Sequence, residues 1–138
     1  MFVRNLNNVS IIKNDSLIKR YVTSRSLYQN YVKCIIQIHY KANVYNESWQ
    51  IYSHDLVSVA INEVDGKVMP LKYDNGFVHA FLPSNDLSGI GCRLNGDFTT
   101  DPSRTRIALE EKTKYLISII SEYLKNICLE KFFVHDTK

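Results

Sequence analysis

Across residues 31–40 the side chains alternate strictly: Val32, Cys34, Ile36, Ile38 and Tyr40 form an unbroken apolar stripe, while Tyr31, Lys33, Ile35, Gln37 and His39 take the other side. Successive side chains of a strand point to opposite faces, so this stretch predicts a strand with one core face and one wet face. Further strand candidates at 47–53, 56–64 and 76–82 are separated by Ser53-His54-Asp55, Asp65-Gly66-Lys67 and Tyr73-Asp74-Asn75-Gly76, all with turn chemistry. Two-residue connections cannot join parallel strands. Antiparallel pairing is therefore expected in the first two-thirds of the chain, with hairpins at the Asp-Gly and Asn-Gly dipeptides. An earlier strand is expected within residues 2–13, where a loose alternation ends in Val9-Ser10-Ile11-Ile12 before the turn-forming Asn14-Asp15-Ser16.

The period changes after residue 100. Asp101-Pro102 offers an N-cap followed by a proline suited to the first helical position. Beyond it Leu116, Ile120, Tyr123 and Ile127, widened by Ile119, Leu124 and Cys128, recur at helical spacing. A helix over about residues 102–132 follows, its apolar face laid on the sheet; Glu110, Glu111, Lys112, Lys114, Glu122 and Lys125 fall off that face and read as solvated. Residues 134–138 have nothing evident to dock on and are expected to fray. A chain of 138 residues, 45% hydrophobic and 22% charged, suits one soluble domain over 1–138. The expected class is α+β: a mostly antiparallel sheet with hairpins, strand-rich over 1–100, covered by one long C-terminal helix.

Several functions are excluded or disfavoured. Lys and Arg exceed Asp and Glu by 17 to 14, too small and too dispersed an excess to name nucleic acid or a membrane as partner. Apolar runs such as Leu56-Val57-Ser58-Val59-Ala60-Ile61 fall far short of the roughly 20 residues that cross a bilayer. The opening residues carry no signal-peptide core, which makes a cytoplasmic location the expectation and leaves Asn8-Val9-Ser10 and Asn46-Glu47-Ser48 as chance glycosylation matches. Cys34, Cys92 and Cys128 are odd in number, with no C-x-x-C pair, and read as buried thiols, neither a disulfide framework nor a zinc site. His39, His54, His79 and His135 stand far apart, and adjacent His54 and Asp55 on a strand would point to opposite faces. No nucleophile, metal or nucleotide motif is complete, so no catalytic residue, metal or cofactor is assigned to this chain alone. The tyrosines, Tyr21, Tyr28, Tyr31 and Tyr40 among them, are not interleaved with a dense basic patch, which favours packing over base stacking.

Residues 77–107 are the unusual stretch. They hold three of the five glycines, and Gly89, Gly91, Asn95, Gly96 and Asp97 are expected to form a shaped loop between the strand ending near Leu82 and the helix beyond Pro102. At the expected helix start, Thr99, Thr100, Ser103, Arg104, Thr105 and Arg106 combine hydroxyls, free N–H groups and two cations, the makings of an anion site. The same residues leave an alternative open, in which Asp101 caps the helix and the arginines pair with Asp97, Glu110 or solvent.

The run Phe77-Val78-His79-Ala80-Phe81-Leu82-Pro83, then Ser88-Gly89-Ile90, Leu94-Asn95-Gly96-Asp97-Phe98 and Ser103-Arg104 resembles the second half of the chaperone-like ATPase modules of sacsin-type repeat proteins, relatives of the 90-kDa heat-shock chaperones. The opening Phe2-Val3-Arg4-Asn5-Leu6 and Trp49 are also similar to that pattern. The resemblance implies a transducer of nucleotide state, the part that follows an ATP pocket. The Glu and Asn helix, the Asp-x-Gly-x-Gly turn and the glycine-rich lid of that pocket are missing from the chain. ATP and Mg²⁺ would then be held by an ATP-binding segment in cis or in trans, with a client protein as a further partner. By position Arg104 matches the family's arginine that reaches toward the terminal phosphate, with Arg106, Arg93 and Ser103 as further phosphate-sensing candidates. Two readings stand: a non-catalytic transducer or partner-binding part of a chaperone-like ATP-binding protein, or a stand-alone protein- or nucleic-acid-interaction domain with no nucleotide role.

Overall fold

A computed structural model describes residues 6–132. Its strands are β1 (Asn8–Lys13), β2 (Ser16–Leu27), β3 (Val32–Tyr40), β4 (Asn43–His54), β5 (Val57–Val64), β6 (Lys67–Met69), β7 (Phe77–Ala80), β8 (Leu82–Leu87) and β9 (Arg93–Gly96), followed by helix α1 (Glu111–Phe132). They form one sheet in the order β1-β2-β3-β4-β5-β9-β7-β8. The edge of β5 away from β4 is shared, β9 taking Val57 to Ala60 and β6 taking Asn62 to Val64. The class is α+β, a mostly antiparallel sheet built of hairpins with one C-terminal helix, as expected. The exception is β7, which runs parallel to β9 with Val78 opposite Leu94.

Local turn chemistry explains the ladder from β1 to β6. Asn14 and Asp15 hold φ of 49° and 57°, and Asp65 and Gly66 hold 51° and 76°, the left-handed pairs that match the twist of two-residue hairpins. Asn75-Gly76 does not make the expected hairpin. Asn75 ends a 3₁₀ turn at Tyr73–Asn75 and Gly76 caps it at φ −86°, in the connection from β6 to β7, which do not pair. Strand β2 was not signalled by alternation, because Lys19, Thr23 and Arg25 share one face while Arg20, Ser24 and Ser26 share the other, and neither is apolar. Pairing on both edges, with β1 and β3, holds it in place.

The sheet builds a core on each face. Toward α1, Val57 and Val59 pack with Leu94, Phe98, Leu116 and Ile120. On the opposite face Ala60 packs with Cys34, Trp49 and Ile51, closed by Val32, Ile36 and Leu71. The stripe of β3 therefore has the core side the sequence predicts, but that core lies away from the helix. Cys34 and Cys92 are both buried and neither is in a disulfide, while Cys128 lies where side chains are not described. On the helix side of β4 and β5 the buried Glu63 carboxylate accepts Gln50 Nε2 at 2.6 Å and Ser48 Oγ at 3.2 Å and pairs with Lys33. Burial pushes its pKa up, but these hydrogen bonds and the lysine together hold it below the usual carboxylate range.

The helix begins later than about residue 102. Asp101 does gather backbone N–H groups, those of Thr105 at 2.8 Å and Arg106 at 3.0 Å, yet it does so inside a reversal and not at a helix start. Arg104 N donates to Asp101 O at 2.9 Å, closing a turn that suits Pro102 at its second position, and Arg104 then takes φ 57°. Asp101 N donates to Arg106 O at 3.0 Å and Thr100 bridges Ile107, so the segment is a tight hairpin loop. Asp-Pro serves a turn as readily as a cap, and sequence alone does not separate the two. Along α1, Leu116, Ile120 and Ile127 are buried and Glu111, Lys112, Lys114, Glu122 and Lys125 are exposed, as their spacing predicts.

Gly91 holds φ 68°, and a Cβ there would meet Pro70 Cβ at 3.0 Å, whereas Gly66 at φ 76° opens onto free space. Gly91→Ala is expected to lower stability more than Gly66→Ala, which carries only the backbone penalty of about 1 kcal/mol. Leu116→Ala, emptying a fully buried site in the helix-side core, is expected to cost about 2–5 kcal/mol. Urea titrations of the three variants check the ranking.

Candidate functional site

The sequence-predicted candidates separate into two places. Arg104, Arg106 and Ser103 sit together on the hairpin loop before α1, whereas Arg93 lies in β9 with its side chain on the sheet face away from the helix. Helix α1 begins at Glu111, so the loop arginines do not stand at its N-terminus. Arg106 Nη1 lies 3.7 Å from Asp86 Oδ1, and Asp86 Oδ2 accepts the Ile107 N–H at 2.6 Å. Ser103 Oγ donates to Asp101 Oδ2 at 2.5 Å. Arg104 lines a cavity of about 360 Å³ with Asp97, Phe98 and Thr100. Of the alternative pairings, Asp97 takes Lys112 at 2.5 Å and not an arginine.

The expected loop over Gly89, Gly91, Asn95, Gly96 and Asp97 is loop at Gly89, Gly91 and Asp97 and strand at Asn95 and Gly96. Gly89 and Gly91, at φ 71° and 68°, make the turn into β9, where Ser88 Oγ donates to Cys92 O at 2.6 Å. Asn95 and Gly96 belong to β9. Asn95 Oδ1 accepts the Phe81 N–H at 3.1 Å, and Gly96 lies against Phe98, whose ring a Cβ would meet at 3.2 Å. Pairing with β5 wins because Arg93-Leu94-Asn95-Gly96 alternates in register with Ala60, Val59, Ser58 and Val57.

That register creates the more notable site. Side chains of β1 to β4 and of β7 to β9 line one cavity of about 450 Å³, which requires the face away from α1 to be concave. Val9, Tyr21, Ile36 and Ile38 form one wall, and Phe81, Leu82 and Pro83 form the other. Arg93, His79, Lys19 and Glu47 supply the polar lining. Arg93 reaches across the small Ala60 so that its guanidinium lies 4.5 Å from the centre of the Trp49 ring, with Nε donating to Asn75 O at 3.3 Å. Burial pushes its pKa down, with Glu47 acting in the opposite sense. Glu47 itself accepts Trp49 Nε1 at 3.3 Å.

His79 sits on β7 beside Asn95. Burial, reinforced by the charge of Arg93, brings its pKa down to about 4, so the imidazole is neutral at physiological pH. The sequence sets His79 far from the other histidines and Arg93 among the further phosphate candidates; their shared cavity follows from the parallel β7–β9 pair, for which the sequence carries no signal. The adjacent His54 and Asp55 form no pair: His54 packs 5.5 Å from the Tyr123 ring, and Asp55 turns away at φ 38°. His135 lies outside the described residues. A second cavity of about 450 Å³ runs beside α1, lined by Val78, Leu87, Ile107, Ile117 and Ile120 with Asp86 at its border. No group of three or more potential metal ligands occurs among the described residues, and no described helix is long and apolar enough to cross a membrane.

The depressed pKa of His79 gives stability a pH slope. The unfolded chain takes up this proton near the ordinary imidazole value of 6.5 and the folded chain only near 4, so the unfolded state binds more protons in between. Stability is expected to be level above that window and to fall as pH drops through it, by up to about 3 kcal/mol. His79→Gln should flatten this component in denaturant titrations taken across the window.

Comparison with family models, with curated proteins and with solved structures finds no match, so the likeness to chaperone-like ATPase modules rests on the motifs quoted above.

Proposed function

We propose that the chain is a binding module whose receiving surface is the concave sheet face away from α1. The observation that carries this reading is the cavity of about 450 Å³ between the β1–β4 blade and the β7–β9 unit, apolar on both walls and polar at a few points. Binding sites of proteins are concave, mainly apolar and supplied with a small number of placed polar groups. Strands, and not loops, carry most of these side chains, so the surface is held in shape before any ligand arrives.

Nile red, uncharged at neutral pH, is expected to bind the chain and to lose at least about fivefold in affinity in Thr23→Trp, which fills the cavity from β2. Ile117→Lys, on the separate cavity beside α1, is expected to leave that binding in place. Binding that is absent, or indifferent to Thr23→Trp, overturns the reading.

One observation favours the transducer role as a second reading. Arg104 is exposed on a turn that Asp101 pins, and among the described residues no carboxylate lies within ion-pairing distance of it. A cation so presented can meet a phosphate held by another segment. In a chain or complex that carries an ATP-binding half, Arg104→Ala is expected to lower ATP turnover at least about tenfold. Unchanged turnover and affinity would remove Arg104 from the mechanism.

A further inference from the structure

The polar lining of the concave face is unequal in sign. Arg93 and Lys19 are cationic, Glu47 is anionic, and His79 is neutral at physiological pH, which leaves an excess of one positive charge around an otherwise apolar space. Arg93 is half-buried, and its described contacts are the Trp49 ring and the single hydrogen bond from Nε to Asn75 O. Among the described residues no carboxylate lies within 4.0 Å of its nitrogens; Glu47, on the same cavity, attracts the guanidinium only from beyond ion-pairing distance. A guanidinium moved out of water without a carboxylate is costly to hold, and a ligand that supplies one recovers that cost through two parallel charge-assisted hydrogen bonds.

We propose that this cavity binds a small amphipathic carboxylic acid in its ionised form, the carboxylate on Arg93 and the apolar part between Ile36 and Ile38 on one wall and Phe81 and Leu82 on the other. The inference rests on the binding role assigned above to the same cavity and adds the class of ligand. One negative charge matches the excess of one. A phosphate dianion would overbalance it, and a neutral apolar guest would leave Arg93 as it stands. Lys19 stands over the Tyr21 ring, its Nζ 5.1 Å from the centre, and contributes longer-range attraction at the cavity wall.

Decanoate and decanol share a ten-carbon chain and differ in charge, so displacement of Nile red from the whole chain by each, below the micelle concentration of decanoate and at neutral pH, separates charge from hydrophobic fit. Decanoate is expected to bind at least about tenfold more tightly than decanol. Arg93→Gln is expected to erase that preference, and Arg93→Lys to recover part of it. Equal affinity of the unaltered chain for the two compounds overturns the carboxylate assignment yet leaves the binding role standing, a comparison that needs no variant to fold. Failure of Nile red, decanoate and decanol alike overturns both. A decanoate preference that survives Arg93→Gln in a chain with unaltered circular dichroism overturns the role of Arg93.

Discussion

Strand β5 is buried on both of its faces, and the rest of the structure is arranged around that constraint. Val57 and Val59 need cover on one side, which the helix provides through Leu116 and Ile120; Ala60 needs it on the other, where Trp49, Cys34 and Ile51 close over it. A sheet covered by one helix on one face would leave its second face wet. Here the second face curves instead, and its own side chains, with Leu71 from the connection after β6, supply the cover. The price is a concavity that these side chains do not fill.

Within that concavity, position matters more than residue type. An arginine on a strand ordinarily turns to water. Arg93 is opposite Ala60, the smallest partner on β5 along this register, with Trp49 beyond it on β4, so the guanidinium lies over an aromatic face and its stem over a methyl group. The same register sends Leu94 to the helix-side core. One residue of slip would exchange the two, placing a leucine among the polar groups and a cation under the helix.

Elements with a strong local signal were legible in the sequence. The alternation across 31–40, the Asn14-Asp15 and Asp65-Gly66 turns and the stripe from Leu116 to Ile127 each depend on contacts within a few residues, and each appears where its pattern puts it. What escaped depends on distant partners. Strand β2 has no apolar face and exists because two neighbours hydrogen-bond to it; β9 looked like a glycine-rich loop because its pairing with β5 and β7 is not written in its own four residues. Asp101-Pro102 had two competent uses, and the chain reversal at Arg104 decided for the turn. Accordingly the loop arginines, plausible as a helix-terminal anion site, are placed apart from Arg93, and the cavity that holds Arg93 and His79 required the three-dimensional arrangement to be seen.

The insertion of β9 between β5 and β7 bears on how the chain reaches this state. Strands β1 to β6 can zip together by successive local turns, but β9 is synthesised after both strands it must lie between. Until residues 93–96 arrive, β5 keeps part of one hydrogen-bonding edge open and β7 with β8 is an unattached hairpin. The last stitch of the sheet is thus a slot-filling event of long sequence separation, and the interval before it is when this chain is most exposed to accepting a strand that is not its own.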